Sequence, residues 1–431
     1  MIEIEASPQY ALVLHSVLGR EGTEISRLKL EEAVGLTEAL GVEIKASLSV
    51  TVREIKAGSY FGSGKIEEVS ALIAEHDINL VVINAAIAPI QQRNLEETWQ
   101  VKVIDRTGLI LEIFALRAAT KEGRLQVELA RLGYERSRLV RTWTHLERQR
   151  GGQGFLAGPG ETQIESDRRM LADKIGKLGR DLEQVRRRRG LQRTQRKRAP
   201  ERVVALVGYT NAGKSSLFNR FTTGGVLEKD MLFATLDTTH RILPLPSGQQ
   251  AVMSDTVGFI SDLPTDLVDA FRATLEEVKE ADLLIHVRDM SDPLNEQHKL
   301  DVLQILDTLG AGPNHEQAII EVWNKIDLLA DNVRTEMMDS AGMKENSFPV
   351  SCTRNIGLDD LRAGIEAELS KSDHIVNVTI VPKDMHIRAW LHQHGNVLSE
   401  DILEQGNCKM QVKLSSVDYG KLQTHHPQVF V

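Results

Sequence analysis

The first quarter of the chain alternates short apolar runs with amphipathic stretches. Apolar runs rich in β-branched residues predict strands, and apolar residues that recur every three or four positions predict helices. The predicted strands are Tyr10–Val17, Ser47–Ile55, Asn79–Asn84 and Val101–Asp105, and the predicted helices are Leu28–Leu40, Ile66–Glu75, Ala88–Trp99 and Leu109–Arg117. This alternation predicts a small parallel α/β domain over residues 1–118.

The next stretch has a different period. Its apolar residues recur at alternating spacings of three and four with charged residues between them, which is typical of paired helices. One stripe is Leu125, Leu129, Leu132, Arg136, Leu139, Trp143 and Leu146, and the second is Leu171, Ile175, Leu178, Leu182 and Val185. Residues 151–160 between them are half glycine, which breaks a helix. Residues 119–199 are therefore expected to form a long antiparallel helical hairpin with its glycine-rich tip at 151–160.

Apolar runs return after residue 200. They predict buried strands of a P-loop α/β domain over residues 200–373, at Val203–Val207, Ala251–Ser254 and Ala318–Trp323. The last segment, residues 374–431, predicts a small α+β domain. Its strands are expected at His374–Ile380 and Gln411–Leu414, and its helices at Met385–Leu391 and Val417–Leu422. The predicted fold class is therefore α/β, with a helical hairpin between two α/β domains and a small α+β domain at the end.

A complete G-x-x-x-x-G-K-[ST] pattern follows the first buried strand of the 200–373 domain. It comprises Gly208, Tyr209, Thr210, Asn211, Ala212, Gly213, Lys214 and Ser215, and a helix-like stretch follows it. In such a loop the glycines let backbone N–H groups and a helix N-terminus surround phosphate. Lys214 is predicted to reach the β- and γ-phosphates, and the Ser215 hydroxyl is predicted to bind Mg²⁺.

Two further segments are predicted to sense the γ-phosphate. The first is Phe233-Ala234-Thr235-Leu236-Asp237, in which Thr235 would be the second protein ligand of Mg²⁺. The second is Asp255-Thr256-Val257-Gly258, which fits the D-x-x-G pattern. Asp255 would hold Mg²⁺ through water, and the Gly258 N–H would contact the γ-phosphate, so that loss of this phosphate releases the segment.

Two last segments are predicted to select the base. Asn324-Lys325-Ile326-Asp327 follows the third buried strand. The Asp327 carboxylate can accept hydrogen bonds from the N1–H and N2–H₂ groups of guanine, and adenine lacks that pair of donors. Ser351-Cys352-Thr353 is expected to form a loop that touches guanine O6.

Chance could produce any one of these five segments, but not the ordered set. The predicted reaction is hydrolysis of GTP to GDP and phosphate, with Mg²⁺ as the cofactor. Catalysis is assigned to Asn211, Lys214, Thr235 and Gly258. Phe259 stands directly after the D-x-x-G segment, where many GTPases place the Gln that orients the attacking water. Slow intrinsic hydrolysis is therefore predicted.

Composition and charge indicate the compartment in which the protein works and the kind of partner that it binds. No apolar run approaches the roughly 18 residues of a membrane span, and the start of the sequence lacks a signal-peptide pattern. The two cysteines, Cys352 and Cys408, show neither pairing nor metal-ligand spacing, so we expect a cytoplasmic protein. A monomer is expected, although no sequence pattern tests the oligomeric state. The net charge is −9, yet residues 131–200 carry 19 Lys and Arg against 8 Asp and Glu. A basic segment in an acidic chain favours a polyanionic partner.

Three interpretations of these features stay open. The first concerns the eight Lys and Arg within residues 186–198, at the end of the second arm of the hairpin. RNA phosphates are the favoured partner of these cations. Alternatively, the cations belong to a solvated linker and the hairpin docks on a protein effector. Phe61-Gly62-Ser63-Gly64-Lys65 resembles half of a phosphate loop and raises a third possibility, an ATP-driven activity of residues 1–116 such as RNA unwinding. A glycine turn before a helix is the simpler interpretation of that segment.

Residues 151–169 resemble the G-P-G-E-T-Q-x-E-x-D-R-R signature of the HflX family of translational GTPases. Val103–Ile113, Gly208–Asn219 and Phe233–Asp237 extend the resemblance. It implies a GTPase that associates with the large ribosomal subunit and its RNA, and that in some members separates stalled or idle ribosomes. It also implies that the hairpin enters that subunit with its tip toward the peptidyl-transferase region. In related GTPases an Asn at the position of Asn211 helps to hold K⁺ beside the phosphates; a turn-stabilising Asn is the alternative.

Overall fold

The structure is a computed structural model, and it describes residues 9–19, 22–149, 159–196, 202–222, 233, 235, 238–261, 277–315, 317–403 and 406–430. The chain divides into two compact units. The described residues of Met1–Arg187, together with Phe233 and Thr235, belong to the first unit, and the others belong to the second. Within the described ranges, no helix is both long enough and apolar enough to cross a membrane.

The N-terminal part of the first unit is a four-stranded parallel sheet with helices. The strands are β1 (Tyr10–Leu18), β2 (Glu43–Val52), β3 (Leu80–Asn84) and β4 (Lys102–Asp105), and the helices are α1 (Thr23–Glu38), α2 (Ser63–Glu75), α3 (Pro89–Trp99) and α4 (Arg106–Arg117). The spatial order is β2-β1-β3-β4, and all pairs are parallel, which confirms the predicted arrangement. The central strands β1 and β3 are mostly buried. The edge strand β2 begins four residues earlier than predicted, because its first half is polar and alternately exposed.

Two long helices follow, α5 (Lys121–Gln149) and α6 (Pro159–Arg196), and the residues of α6 from Arg188 onward belong to the second unit. An exposed ion pair joins them, with Lys174 Nζ 3.0 Å from Glu128 Oε1. Leu178 and Leu182 of the predicted stripe are buried. The predicted stripe of α5 is wrong at Arg136, which is exposed, because the first half of this helix also packs against α3 and α4. Residues 151–158 of the predicted tip lie outside the described residues.

The second unit contains a six-stranded sheet whose order is β10-β9-β8-β5-β7-β6. Only β6 is antiparallel to its neighbour among these described strands. The strands are β5 (Arg202–Val207), β6 (Thr239–Pro244), β7 (Gln250–Asp255), β8 (Leu283–Asp289), β9 (Ala318–Asn324) and β10 (Ser347–Pro349). The helices described around it are α7 (Lys214–Phe221), α8 (Asn295–Thr308), α9 (Asp331–Met343) and α10 (Leu358–Leu369). The carboxyl ends of its central strands carry the predicted nucleotide segments.

The same unit ends in a three-stranded antiparallel sheet of order β11-β13-β12. Its elements are β11 (His374–Ile380), α11 (Met385–His394), β12 (Gly395–Ile402), β13 (Cys408–Leu414) and α12 (Ser416–His425). The predicted strands and helices are confirmed. The sequence analysis missed β12, a partly exposed edge strand with few apolar residues that follows α11 with no turn between them.

Candidate guanine-nucleotide site

The phosphate loop joins β5 to α7, as predicted, and its two glycines stand where a side chain does not fit. Gly208 has a φ of +149°, and a Cβ there would lie 2.2 Å from the Val287 carbonyl oxygen. Gly213 has a φ of +95°, and a Cβ there would lie 2.1 Å from Asn324 Nδ2. Asn211 is left-handed as well, with a φ of 60°. The glycines therefore let the loop pass close to β8 and to the predicted base-binding segment.

Lys214 is the first residue of α7 and is almost fully buried. Its Nζ donates to two carbonyl oxygens of the loop, at 3.0 Å from Gly208 and 2.7 Å from Tyr209. Burial lowers the pKa of Lys214 to about 8, and the Asp255 carboxylate opposes that shift. An anion in the loop would favour the charged ammonium. The side chain is thus placed to receive phosphate.

Ser215, a predicted magnesium ligand, lies beside Asp255, which is predicted to hold Mg²⁺ through water. Ser215 Oγ donates to Asp255 Oδ2 over 2.8 Å, at the end of β7. Asp255 and Thr256 are fully buried, and Thr256 Oγ1 donates to the Leu206 carbonyl oxygen at 2.5 Å, which ties this segment to β5. Hydroxyl and carboxylate oxygens are the donors that Mg²⁺ prefers, usually with phosphates and water completing its shell. This pair therefore fits the predicted metal.

The D-x-x-G segment lies against the phosphate loop. A Cβ on Gly258 would lie 2.9 Å from Thr210 Cγ2 and 3.0 Å from Lys214 Nζ. Next to it, Val257 is buried and the Phe259 side chain is 1% exposed. The Phe259 ring is thus part of the core, and its position supplies no polar side chain for a water molecule.

The base-binding segments are joined to the phosphate loop through Asn324. Its Nδ2 donates to the Ala212 carbonyl oxygen at 2.8 Å, and its Oδ1 accepts from the Cys352 N–H at 3.3 Å. Ser351 and Cys352 are buried, while Thr353 is exposed. One amide side chain thus connects the predicted phosphate and guanine contacts, which the tetrapeptide pattern alone did not show.

Asp327 has the property that a guanine-binding carboxylate needs. Its Oδ1 atom is buried and has no hydrogen-bond partner among the described residues. The preceding Lys325 adopts a φ of 64°, and its Nζ lies 2.7 Å from Asp289 Oδ2. Ile326, between Lys325 and Asp327 in the chain, is fully buried. A buried carboxylate oxygen without a donor is costly unless a ligand supplies one. The N1–H and N2–H₂ edge of guanine would do so.

The predicted first switch is described only in part. Phe233 and Thr235 belong to the first unit, whereas Ser215 belongs to the second. The Phe233 ring is buried and packs edge-on against Phe114 of α4, with 4.7 Å between centroids. Ala234, Leu236 and Asp237 lie outside the described residues. Thr235 as a magnesium ligand therefore stays a prediction.

Near the phosphate loop lies a group of buried and half-buried polar residues that the sequence analysis missed. Arg288 of β8 donates to Glu321 Oε2 at 3.0 Å, and Lys299 Nζ lies 2.5 Å from Glu321 Oε1. Despite the cost of burial, these partners lower the pKa of Glu321 to about 2. Burial lowers the pKa of the neighbouring His286 to about 3, so its imidazole is neutral. These residues come from β8, β9 and α8, and no local pattern predicts that they meet.

The half phosphate loop in the N-terminal domain has a structural role. Gly62 precedes the first turn of α2, with a φ of −73°. Lys65 Nζ lies 2.5 Å from Glu68 Oε2 of the same helix. The segment thus forms a glycine turn before a helix, as the simpler interpretation predicted.

Comparisons with known proteins point to one family. Three protein-family models match: "GTP-binding GTPase N-terminal" over residues 27–115, "GTP-binding GTPase Middle Region" over 117–196 and "50S ribosome-binding GTPase" over 203–325. The chain is 43% identical to GTPase HflX of Magnetococcus marinus over 98% of this chain and 96% of that protein. It is 40% identical to GTPase HflX of Escherichia coli over 92% of each chain.

One solved structure with a similar chain is a GTP-binding protein from the hyperthermophilic archaeon Sulfolobus solfataricus in complex with GDP. The identity is 24% and the TM-score 0.46, over 84% of this chain and 98% of that one.

Proposed function

This chain belongs to the HflX family of GTPases, and we propose that it binds the large ribosomal subunit and separates stalled or idle ribosomes into subunits. Its GTPase domain matches a ribosome-binding family, and hydrolysis of GTP is its reaction. The proposal concerns what this reaction drives.

The charge of the hairpin carries the proposal. A net charge of +11 on residues 131–200 contrasts with −20 on the rest of the chain. Among the α6 side chains that the structure describes, the exposed cations are Arg168, Arg169, Lys174, Lys177, Arg180 and Arg187. At 1.5 Å per residue, a helix of this length reaches about 57 Å. A long basic arm of this kind suits contact with RNA phosphates, where release of counterions makes binding strongly dependent on salt.

The residues of the site have distinct roles in this proposal. Lys214 binds the β- and γ-phosphates, Asn324 links the phosphate loop to the base loop, and Asp327 reads guanine. Ser215 would hold Mg²⁺, with Asp255 acting through a water and Thr235 proposed as a second protein ligand; the bound ion would supply positive charge that neutralises the phosphates. Gly258 contacts the γ-phosphate through its N–H and so couples the bound nucleotide to the rest of the chain.

Ribosome separation can be tested by light scattering, which falls when joined ribosomes become subunits. Ribosomes would be mixed with GTP and the wild-type chain or a variant lacking residues 151–160, with Ser340→Ala on the exposed face of α9 as a control. We expect a fall in scattering with wild type and control, and little with the deletion. Unchanged scattering with wild-type protein would contradict the proposal.

Salt dependence separates RNA from a protein partner. Binding to purified large subunits should weaken by orders of magnitude between about 50 and 200 mM salt if several cations contact phosphates. A hydrophobic interface with a protein effector would scarcely respond. Binding that hardly changes with salt would favour the effector.

We further propose that Asn211 helps to hold K⁺ beside the phosphates. Its left-handed φ of 60° is also what the alternative, a turn-stabilising Asn, requires, so the proposal rests on the resemblance to related GTPases. A cation beside the phosphates would offset charge that develops in the transition state. Hydrolysis should be faster in KCl than in NaCl at the same ionic strength. Equal rates in the two salts would exclude this role.

A further inference from the structure

The backbone of the D-x-x-G segment forms a short parallel bridge with the phosphate loop. The Thr210 N–H donates to the Phe259 carbonyl oxygen at 2.8 Å, and the Phe259 N–H donates to the Gly208 carbonyl oxygen at 3.1 Å. This bridge sets the distance between Gly258 and Lys214. Phe259 offers no polar side chain, so this position can contribute to hydrolysis only through its backbone.

The Tyr209 side chain adds a second connection at the same place. Its Oη accepts from the Ser261 N–H at 2.9 Å and lies 2.9 Å from Ser261 Oγ. Ser261 Oγ in turn lies 2.8 Å from Asp301 Oδ2 on α8. An ionised carboxylate only accepts, so Ser261 donates its hydroxyl proton to Asp301 and accepts one from Tyr209. The Tyr209 hydroxyl proton then has Ser261 Oγ as its acceptor, and the Ser261 hydroxyl proton has Asp301 Oδ2.

The Tyr209 ring is also fixed. It stacks on the His298 imidazole, with 3.6 Å between centroids and 8° between planes. His298 Nδ1 lies 3.0 Å from Asp292 Oδ2. His298 and Asp301 are three residues apart on α8 and so share one helix face. On that face, His298 stacks on the Tyr209 ring, and Asp301 is linked to the Tyr209 hydroxyl through Ser261.

We propose that the Tyr209–Ser261–Asp301 chain positions the D-x-x-G segment against the phosphate loop for hydrolysis. Tyr209 acts through Ser261 and is a positioning residue in this role. A misplacement of about 1 Å in a reacting geometry can cost roughly 100-fold in rate. Removal of one hydroxyl should therefore slow the chemical step while the phosphate loop still binds nucleotide.

The test uses Tyr209→Phe and Ser261→Ala in the full chain, each of which removes one oxygen and little volume. Single-turnover hydrolysis of bound GTP and titration with fluorescent GDP would be measured for each variant and for the double variant. Tyr419→Phe is the matched control, since it removes the same atom from a tyrosine that stacks on His374 in the C-terminal domain. Thermal unfolding would confirm that every variant is folded.

We expect each single variant to hydrolyse GTP about tenfold more slowly, with GDP affinity within about twofold of wild type. The double variant should be no slower than the slower single one, because both act through one connection. Rates within about twofold of wild type in both single variants would overturn the proposal. So would losses of rate that are matched by equal losses of GDP affinity, or that add in the double variant.

Discussion

The two parallel sheets of this chain differ at the edge formed by the carboxyl ends of their strands. In the GTPase domain, this edge carries Gly208 and Gly213, where a side chain would collide with its neighbours, and Asp327, whose Oδ1 has no partner among the described residues. In the N-terminal domain, the same edge is filled by side chains that bond to one another. The edge in the GTPase domain thus offers space and an unpaired acceptor to a ligand, whereas the polar side chains at the edge in the N-terminal domain bind one another.

Arg106 shows how the N-terminal edge is filled. Its guanidinium donates to Asn84 Oδ1 at 2.8 Å and to Glu32 Oε2 at 3.0 Å. Beside it, Asp105 Oδ1 accepts from the Tyr134 hydroxyl at 2.7 Å, and Asp105 Oδ2 lies 3.0 Å from Arg138 Nη1. Open α/β sheets bind ligands outside the carboxyl ends of their strands, but the fold provides only the edge. Loop glycines and unpaired acceptors decide whether it becomes a site.

The largest expected effect is loss of nucleotide binding in Gly213→Ala. The added Cβ would meet Asn324 Nδ2 at 2.1 Å in a conformation that alanine rarely adopts. Titration with fluorescent GDP should show affinity lowered about 100-fold or more, since the loop must reshape to bind phosphate. Gly62→Ala before α2 is the control, because a Cβ there meets nothing within 4 Å. Near-normal affinity in Gly213→Ala would remove the contrast between the edges.

Asp105→Ala should lower stability rather than nucleotide binding. Asp105 is 3% exposed, and its removal would take away the carboxylate that accepts from Tyr134 and pairs with Arg138. Breaking a buried ion pair from one side costs about 3–5 kcal/mol in the free energy of unfolding. Urea unfolding measures this loss, with the exposed Asp359→Ala as the control. A large loss of GDP affinity in the folded Asp105→Ala protein would show that this edge also serves nucleotide binding.

The buried and half-buried polar residues near the phosphate loop predict a dependence of stability on pH. His286 has a folded pKa of about 3 against 6.5 for an ordinary histidine. Below pH 6.5 the unfolded chain therefore binds a proton that the folded chain does not, and stability falls by about 1.4 kcal/mol per pH unit. Glu321 adds to this loss only below its ordinary value of 4.5.

Urea unfolding between pH 7 and pH 5 measures the contribution of His286 to this pH dependence without that of Glu321, which appears only below pH 4.5. His286→Gln should flatten the dependence in this range, although the variant itself is less stable. The same slope in variant and wild type would assign the effect to another group.

Lys65→Ala should have the smallest effect. The side chain is partly exposed and pairs with Glu68 on its own helix, and such pairs contribute less than about 1 kcal/mol. GTP turnover should equal that of wild type, whereas Lys214→Ala should abolish it. ATP hydrolysis that survives Lys214→Ala but is lost in Lys65→Ala would instead reveal a second nucleotide site in the N-terminal domain.

The sequence predicted the elements and segments that depend on neighbours in the chain. The four strands of the N-terminal sheet, strands β5, β7 and β9 of the GTPase domain, and the loop between β5 and α7 are local patterns, and the structure confirms them. Strands β6 and β8 were not predicted, although β8 pairs with β5 at the centre of the sheet. The guanine-binding role of residues 324–327 stays a prediction. Contacts between distant segments could not be predicted. Tyr209 stacks on His298, and Ser261 bonds to Asp301, only because the sheet brings α8 beside the phosphate loop; a tyrosine within the G-x-x-x-x-G-K-[ST] pattern carries no signal of this. The missed strand β12 is polar and lies at an edge, where pairing with β13 outweighs weak local preference.

The most direct test of the account is GTP turnover by the wild-type chain alone and with purified large ribosomal subunits, repeated with the variant that lacks residues 151–160. We predict slow turnover alone, strong stimulation by the subunits, and a stimulation that the deletion weakens, because partner binding orders the segments that contact the γ-phosphate. Turnover that large subunits fail to raise even at low salt would contradict the account, and would favour a protein effector as the partner.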